Sequence, residues 1–115
     1  MLILGLKIEY KEGYVLVTPN EEIEVYNIAE IKESIFEIVE RGNNKMVMNL
    51  ENVEYIDSSG LGVLVTLLKK LRSGNGKLVL VNPKSSVKQI LGLTNLDKVF
   101  IIENSMESAI DALGR

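Results

Sequence analysis

Apolar positions along this chain switch repeatedly between strand-like and helix-like spacing, and each switch marks an element. Residues 6–19, "LKIEYKEGYVLVTP", read as two strands around a turn at Lys11, Glu12 and Gly13, with Tyr14 to Thr18 rich in β-branched and aromatic side chains. Pro19 and Asn20 predict a break after the second strand. Ile28, Ile31, Ile35 and Ile38 then recur at helical spacing. Asn27 is the expected cap of that helix, Glu30 the expected partner in a capping box, and Gly42 the stop. "KMVMNL", 45–50, is a short apolar run whose length favours a buried strand, with Met46 and Met48 as core.

From Leu61 the helical spacing returns through Leu64, Leu68 and Leu71, ended by "SGNG" at 73–76. "KLVLV", 77–81, reads as another buried strand, and Asn82 and Pro83 turn the chain. Ser86 with Gln89 predicts a capping box for a short helix through Leu91. "KVFII", 98–102, is the expected last strand. Asn104 with Glu107 is placed to cap a final helix that buries Ala109, Ile110 and Leu113. Two strands followed by alternating helices and strands predict an α/β fold. Its sheet should be mixed but mainly parallel, of four to five strands, with an antiparallel N-terminal hairpin, about four helices and right-handed crossovers. No repeat, low-complexity tract or linker interrupts the pattern, so residues 1–115 are expected to form one domain.

Composition narrows the chemistry. Hydrophobic residues make up 46% of the 115, enough for a core, and the net charge of −3 argues against a nucleic-acid partner. Lys69, Lys70 and Arg72 sit close together, as on the solvated face of a helix. There is no cysteine, which removes disulfides and thiolate metal sites, and no histidine, which removes imidazole chemistry and the Ser-His-Asp triad. The apolar start "MLILGLKIEY" is interrupted by Lys7 and Glu9 and falls short of the about 20 apolar residues a membrane span needs. A soluble, cytoplasmic protein is the expectation, with no metal and no cofactor.

The candidate chemistry lies in "VEYIDSSGLGVLV", 53–65, where "IDSSG" joins a buried strand to a helix start. Unpaired N–H groups and the helix dipole favour anions there. Asp57, Ser58 and Ser59 are all good capping residues, and Gly60 and Gly62 would let another surface approach. A serine hydroxyl is a weak nucleophile without an adjacent base, and a carboxylate of ordinary pKa near 4 is a feeble one. The chain also lacks the G-x-x-x-x-G-K-[ST] loop for nucleotide phosphates. The residue types leave open a cap, a general anion site, and a serine that receives phosphate from a kinase.

"NVEYIDSSGLGVLV" resembles the motif of the sulfate transporter and anti-sigma factor antagonist (STAS) domain, and specifically that of the bacterial anti-anti-sigma factors. "EIEVYN", 22–27, is similar to the segment that follows the second strand in that family, and "KLVLVNPKSSVKQILGLTNLDKVFIIENSMESAIDAL" to its usual ending. Glu24 stands where the family usually has Asp, and Glu21 where it often has Gly.

The resemblance implies partner switching. The unmodified protein would bind an anti-sigma factor that is also a serine kinase, and so free the sigma factor. Phosphorylation of the serine after the Asp, here Ser58, would end that binding, and a phosphatase would restore it. The chain would be a substrate and not an enzyme. Glu22, Glu24, Tyr26, Asp57, Ser59, Gly60 and Leu61 are the expected partner-binding residues. Four of them also have a plainer reading: loop charge for Glu22 and Glu24, packing for Tyr26, core for Leu61. Thr94 and Asn95 lie in a turn that could come near the same loop. Two other roles fit the same fold: a scaffold subunit in a signalling or transport-regulating assembly, and a small-ligand or nucleotide-binding domain.

Overall fold

The hairpin register is set by which side chains can be buried. Leu6 and Ile8 are buried while Lys7 is exposed, and Ile8 lies opposite Val17 and Lys11 opposite Tyr14. The connection is then Glu12–Gly13, with Gly13 at φ +86°, a left-handed conformation that glycine adopts without strain. The computed structural model describes residues 2, 3, 5–20, 22, 23 and 27–115.

The sheet has six strands in the order β1 (Leu2–Ile3), β2 (Leu6–Lys11), β3 (Tyr14–Pro19), β4 (Lys45–Asn49), β5 (Lys77–Val81) and β6 (Ile101–Glu103). The first three are antiparallel neighbours, and β3 through β6 are parallel neighbours. The helices are α1 (Ile28–Glu40), α2 (Ser58–Ser73), α3 (Ser85–Leu93) and α4 (Met106–Leu113). The expected mixed sheet, hairpin and four helices are all present; the two-residue β1 at the edge is an addition.

Spatial order equals chain order, so successive crossovers of one hand put α1, α2 and α3 on one face. Ile31, Ile35 and Ile38 of α1, Leu61, Leu64, Leu67, Leu68 and Leu71 of α2, and Val87 and Leu91 of α3 pack there. Their strand partners include Met46, Met48, Leu78 and Leu80. On the other face α4 alone packs Ala109, Ala112 and Leu113 against Leu16, Val47, Val79 and Val81. Met46, Val47 and Met48 are therefore buried from both sides, and that is why β4 reads as a continuous apolar run.

Several boundaries differ from expectation, each for a local reason. Pro19 stays in the strand opposite Leu6. Asn27 precedes α1 without a side-chain cap bond; its amide donates to the Glu22 carbonyl instead. Ser86 does not cap α3, because its hydroxyl donates to the Glu54 carbonyl. The run 98–100 is not strand. Leu96–Lys98 form a 3-10 turn, the N–H groups of Val99 and Phe100 both donate to the Leu96 carbonyl, and β6 is left with three residues. Ser105, not Asn104, caps α4, accepting from the Ser108 N–H. The inward stripe of α4 is Ala109, Ala112 and Leu113, which turns Ile110 outward at 44% exposure.

Candidate phosphoacceptor turn at the start of α2

The connection from β4 to α2 emerges at the carboxyl ends of the parallel strands, and its backbone is tied down at several points. Leu50 N–H donates to the Val81 carbonyl, Glu51 N–H to Asn49 Oδ1, and Val53 N–H to the Leu50 carbonyl. Val53 and Ile56 fill the core beneath it. On one flank Ile23 pairs with Ile56 as a parallel bridge. Ile23 N–H donates to the Tyr55 carbonyl at 3.1 Å, and Asp57 N–H to the Ile23 carbonyl at 3.2 Å. On the other flank Lys84 Nζ sits 2.7 Å from a Glu54 carboxylate oxygen, and the Ser86 hydroxyl donates to the Glu54 carbonyl at 2.8 Å. The loop is a preformed platform.

Asp57 is the N-cap of α2, in extended conformation at φ −89° and ψ −177°. Its Oδ1 accepts the Gly60 N–H at 2.9 Å and the Ser59 hydroxyl at 2.6 Å. Its carbonyl accepts the Leu61 N–H at 2.9 Å, the first bond of the helix. Ser58 is the first helical residue and not a cap. It is exposed, and among the described residues no hydrogen bond holds its hydroxyl, whereas Ser59 is half-buried with its hydroxyl committed to Asp57. The N–H groups of Ser58 and Ser59 lie in the first turn, where no intrahelical acceptor exists. Partial positive charge therefore gathers at the turn that carries Ser58.

Gly60 is required by a contact within the chain. A Cβ there would stand 2.5 Å from the Ile23 carbonyl oxygen and 2.8 Å from Cγ2 of both Ile23 and Ile56. The close approach expected of an outside surface is thus made by the chain's own Ile23. Gly62 is exposed, and a Cβ on it would meet nothing within 4 Å.

The other expected site residues fall into three groups. Glu22 is exposed beside Ile23, on the same rim as the serines. Gly60 and Leu61 are buried, Leu61 at 8% exposure within the main core, so they shape the site from beneath. Glu21, Glu24 and Tyr26 lie outside the described residues. Thr94 and Asn95 are not near the turn. The first turn of α3 is fastened to Glu54, and nine helical residues at about 1.5 Å each carry residue 94 to the opposite end of the sheet. Tyr55 was not anticipated. It is 48% exposed, two residues before Asp57, between buried Val53 and Ile56. An aromatic residue in an apolar stretch carries no sequence signal that separates such a surface position from a core one.

Among the described residues no group of three or more acidic side chains is gathered to hold a metal ion, and no helix is long and apolar enough to cross a membrane.

Residues 6–109 match the family model described as the STAS domain. A proposed anti-sigma factor antagonist of Thermotoga maritima is 37% identical over 105 residues, covering 90% of this chain and 93% of that protein. The anti-sigma-B factor antagonist of Staphylococcus aureus is 26% identical over 104 residues, covering 90% and 96%. A crystal structure of a proposed anti-sigma factor antagonist from Thermotoga maritima superposes with a TM-score of 0.92 at 33% identity, covering 96% of this chain and 95% of that one.

Proposed function

The chain belongs to the STAS domain family, and on that premise we propose that it is an anti-sigma factor antagonist switched by phosphorylation of Ser58. In its unmodified form it binds an anti-sigma factor that is also a serine kinase, and the sigma factor is released. The kinase then ends the interaction. The Ser58 oxygen attacks the γ-phosphorus of kinase-bound ATP, the bond to ADP breaks, and the hydroxyl proton passes to a base of the kinase. A separate phosphatase hydrolyses the phosphoserine and resets the cycle. This chain contributes the acceptor and no catalysis.

The observation that carries this reading is the difference between two adjacent serines. A kinase must reach a hydroxyl and align it in line with the phosphorus. Ser58 offers an exposed, uncommitted hydroxyl on a fixed backbone, while Ser59 would first have to give up its bond to Asp57.

Binding is read onto the same rim through Glu22, Asp57 and Ser59, with Tyr55 added for its exposure and Gly60 and Leu61 as support beneath; Glu24 and Tyr26, outside the described residues, are kept as proposed contacts on the family resemblance alone. A dianionic phosphate at the centre of that surface adds roughly −1.5 to −2 charges, which a docked partner must desolvate or repel. The test is reconstitution with the kinase-type anti-sigma factor encoded by the same genome. ATP should place one phosphate on this chain, at Ser58, and the phosphorylated chain should leave the complex. Labelling elsewhere, or a complex that survives stoichiometric labelling, overturns the reading.

A further inference from the structure

At the end of the sheet opposite Ser58, the β2–β3 turn and the connection from α1 to β4 enclose an open cavity of about 240 Å3. Every charged side chain in its lining is a lysine: Lys11 from the hairpin and Lys45 from the first position of β4. That sign runs against the net charge of −3 for the whole chain. Lys11 lies 3.6 Å from Glu9, which is not in the lining, and Lys45 has no ion-pair partner among the described residues.

The walls are fixed before any ligand arrives. Asn43 Nδ2 donates to the Ile38 carbonyl at 3.0 Å, and the Asn44 carbonyl accepts the Lys77 N–H at 2.8 Å. Lys45 is held opposite Lys77 by strand pairing. Gly13 and Gly42 stand at φ +86° and +97°, a Cβ on either would meet no atom within 4 Å, and the Gly42 N–H is held by the Val39 carbonyl at 3.0 Å, so neither glycine fills the cavity with a side chain. The exposed Asn44 amide adds a neutral donor to the two ammonium groups. Two cations, an amide donor and no carboxylate are the complement of an oxyanion with several acceptor oxygens.

We propose that this cavity between the hairpin turn and the α1–β4 connection binds a small oxyanion, a phosphate group either free or carried on a small metabolite. The site is separate from the Ser58 rim and does not depend on the function proposed for that rim. Because both lysines reach it from solvent, binding is weak, with a Kd on the order of a millimolar.

The experiment is a ¹H–¹⁵N NMR titration of the intact chain with inorganic phosphate at constant ionic strength. The amide signals of Gly13, Gly42 and Asn44 should move and saturate, while chloride should not move them. Lys11→Gln/Lys45→Gln should weaken binding at least tenfold with the remaining spectrum unchanged, and Lys7→Gln should bind as the parent does. A parallel titration with AMP separates the sources: tighter binding than inorganic phosphate marks a carried phosphate, and equal or weaker binding marks the free ion. Shifts that grow without saturation, that chloride reproduces, or that persist in the double variant overturn the proposal.

Discussion

The Ser59 hydroxyl lies 2.6 Å from Asp57 Oδ1, and this one bond makes two neighbouring serines chemically different. The same oxygen caps the helix through the Gly60 N–H at 2.9 Å, so it orders the turn and occupies Ser59 together. Ser58 is left outward and uncommitted.

The first prediction concerns which serine is modified. With the cognate kinase and ATP, mass spectrometry should find phosphate on Ser58 alone. Ser58→Ala should abolish labelling and keep partner binding, since it removes a hydroxyl that holds nothing among the described residues. Ser59→Ala should still label, at a stability cost of about 0.5–1.5 kcal/mol for the lost hydrogen bond. Phosphate on Ser59 in the parent chain would refute the assignment.

Asp57 should be structural in one variant and nearly silent in another. Asp57→Ala removes the acceptor for both Gly60 N–H and Ser59 Oγ and should cost about 1–2 kcal/mol in urea unfolding. Asp57→Asn keeps an acceptor oxygen and loses only the charge at the helix start, a change of about 0.3–1 kcal/mol. Equal losses in the two variants would mean that the charge, and not the cap, matters.

The two glycines of α2 should respond with opposite sign. Gly60→Ala must push the helix away from the Ile23 carbonyl, now 2.5 Å from the new Cβ, and should destabilise by about 1–3 kcal/mol. Gly62→Ala meets no atom within 4 Å and should stabilise by about 0.5–1 kcal/mol through helix propensity. Denaturant midpoints of the two variants and the parent decide it; a stable Gly60→Ala would show that the Ile23–Ile56 bridge yields easily.

How much of this was legible in the sequence depends on which interaction sets each feature. Core elements were readable because burial imposes a period: Ile31, Ile35 and Ile38, or the run at Met46 to Met48, admit one arrangement each. Caps were less readable, because Asn27 and Ser86 found partners distant in sequence or outside the helix, at Glu22 and Glu54, that no local spacing announces. The same holds at the site. The acid, serines and glycines were plain, but the contact that requires Gly60 to be glycine comes from Ile23, 37 residues earlier in the chain (60 − 23). Lys98 to Phe100 looked like strand by composition, and the local bonds to the Leu96 carbonyl overrode that tendency.

The last prediction is that phosphorylation of Ser58 weakens partner binding while leaving the fold intact. The phosphate would stand at the start of a 16-residue helix, where the N–H groups of Ser58 and Ser59 and the dipole attract it. The carboxylate of Asp57 next to it repels it, so the net effect on folding is small. Leu61, Leu64, Leu68 and Leu71 lie in the core while Ser58 is exposed, so they should stay buried. Tm should therefore move by only a few degrees, since about 1 kcal/mol corresponds to roughly 4–8 °C in a domain near this size. Partner affinity should fall more than tenfold, or about 1.4 kcal/mol. Ser58→Asp should act in the same direction and less strongly, carrying one charge and fewer acceptor oxygens. Calorimetry on both forms beside a titration with the kinase partner separates the two effects. A loss of thermal stability large enough to explain the lost binding would place the switch in the fold, and unchanged affinity would leave Ser58 as a surface hydroxyl without a regulatory role.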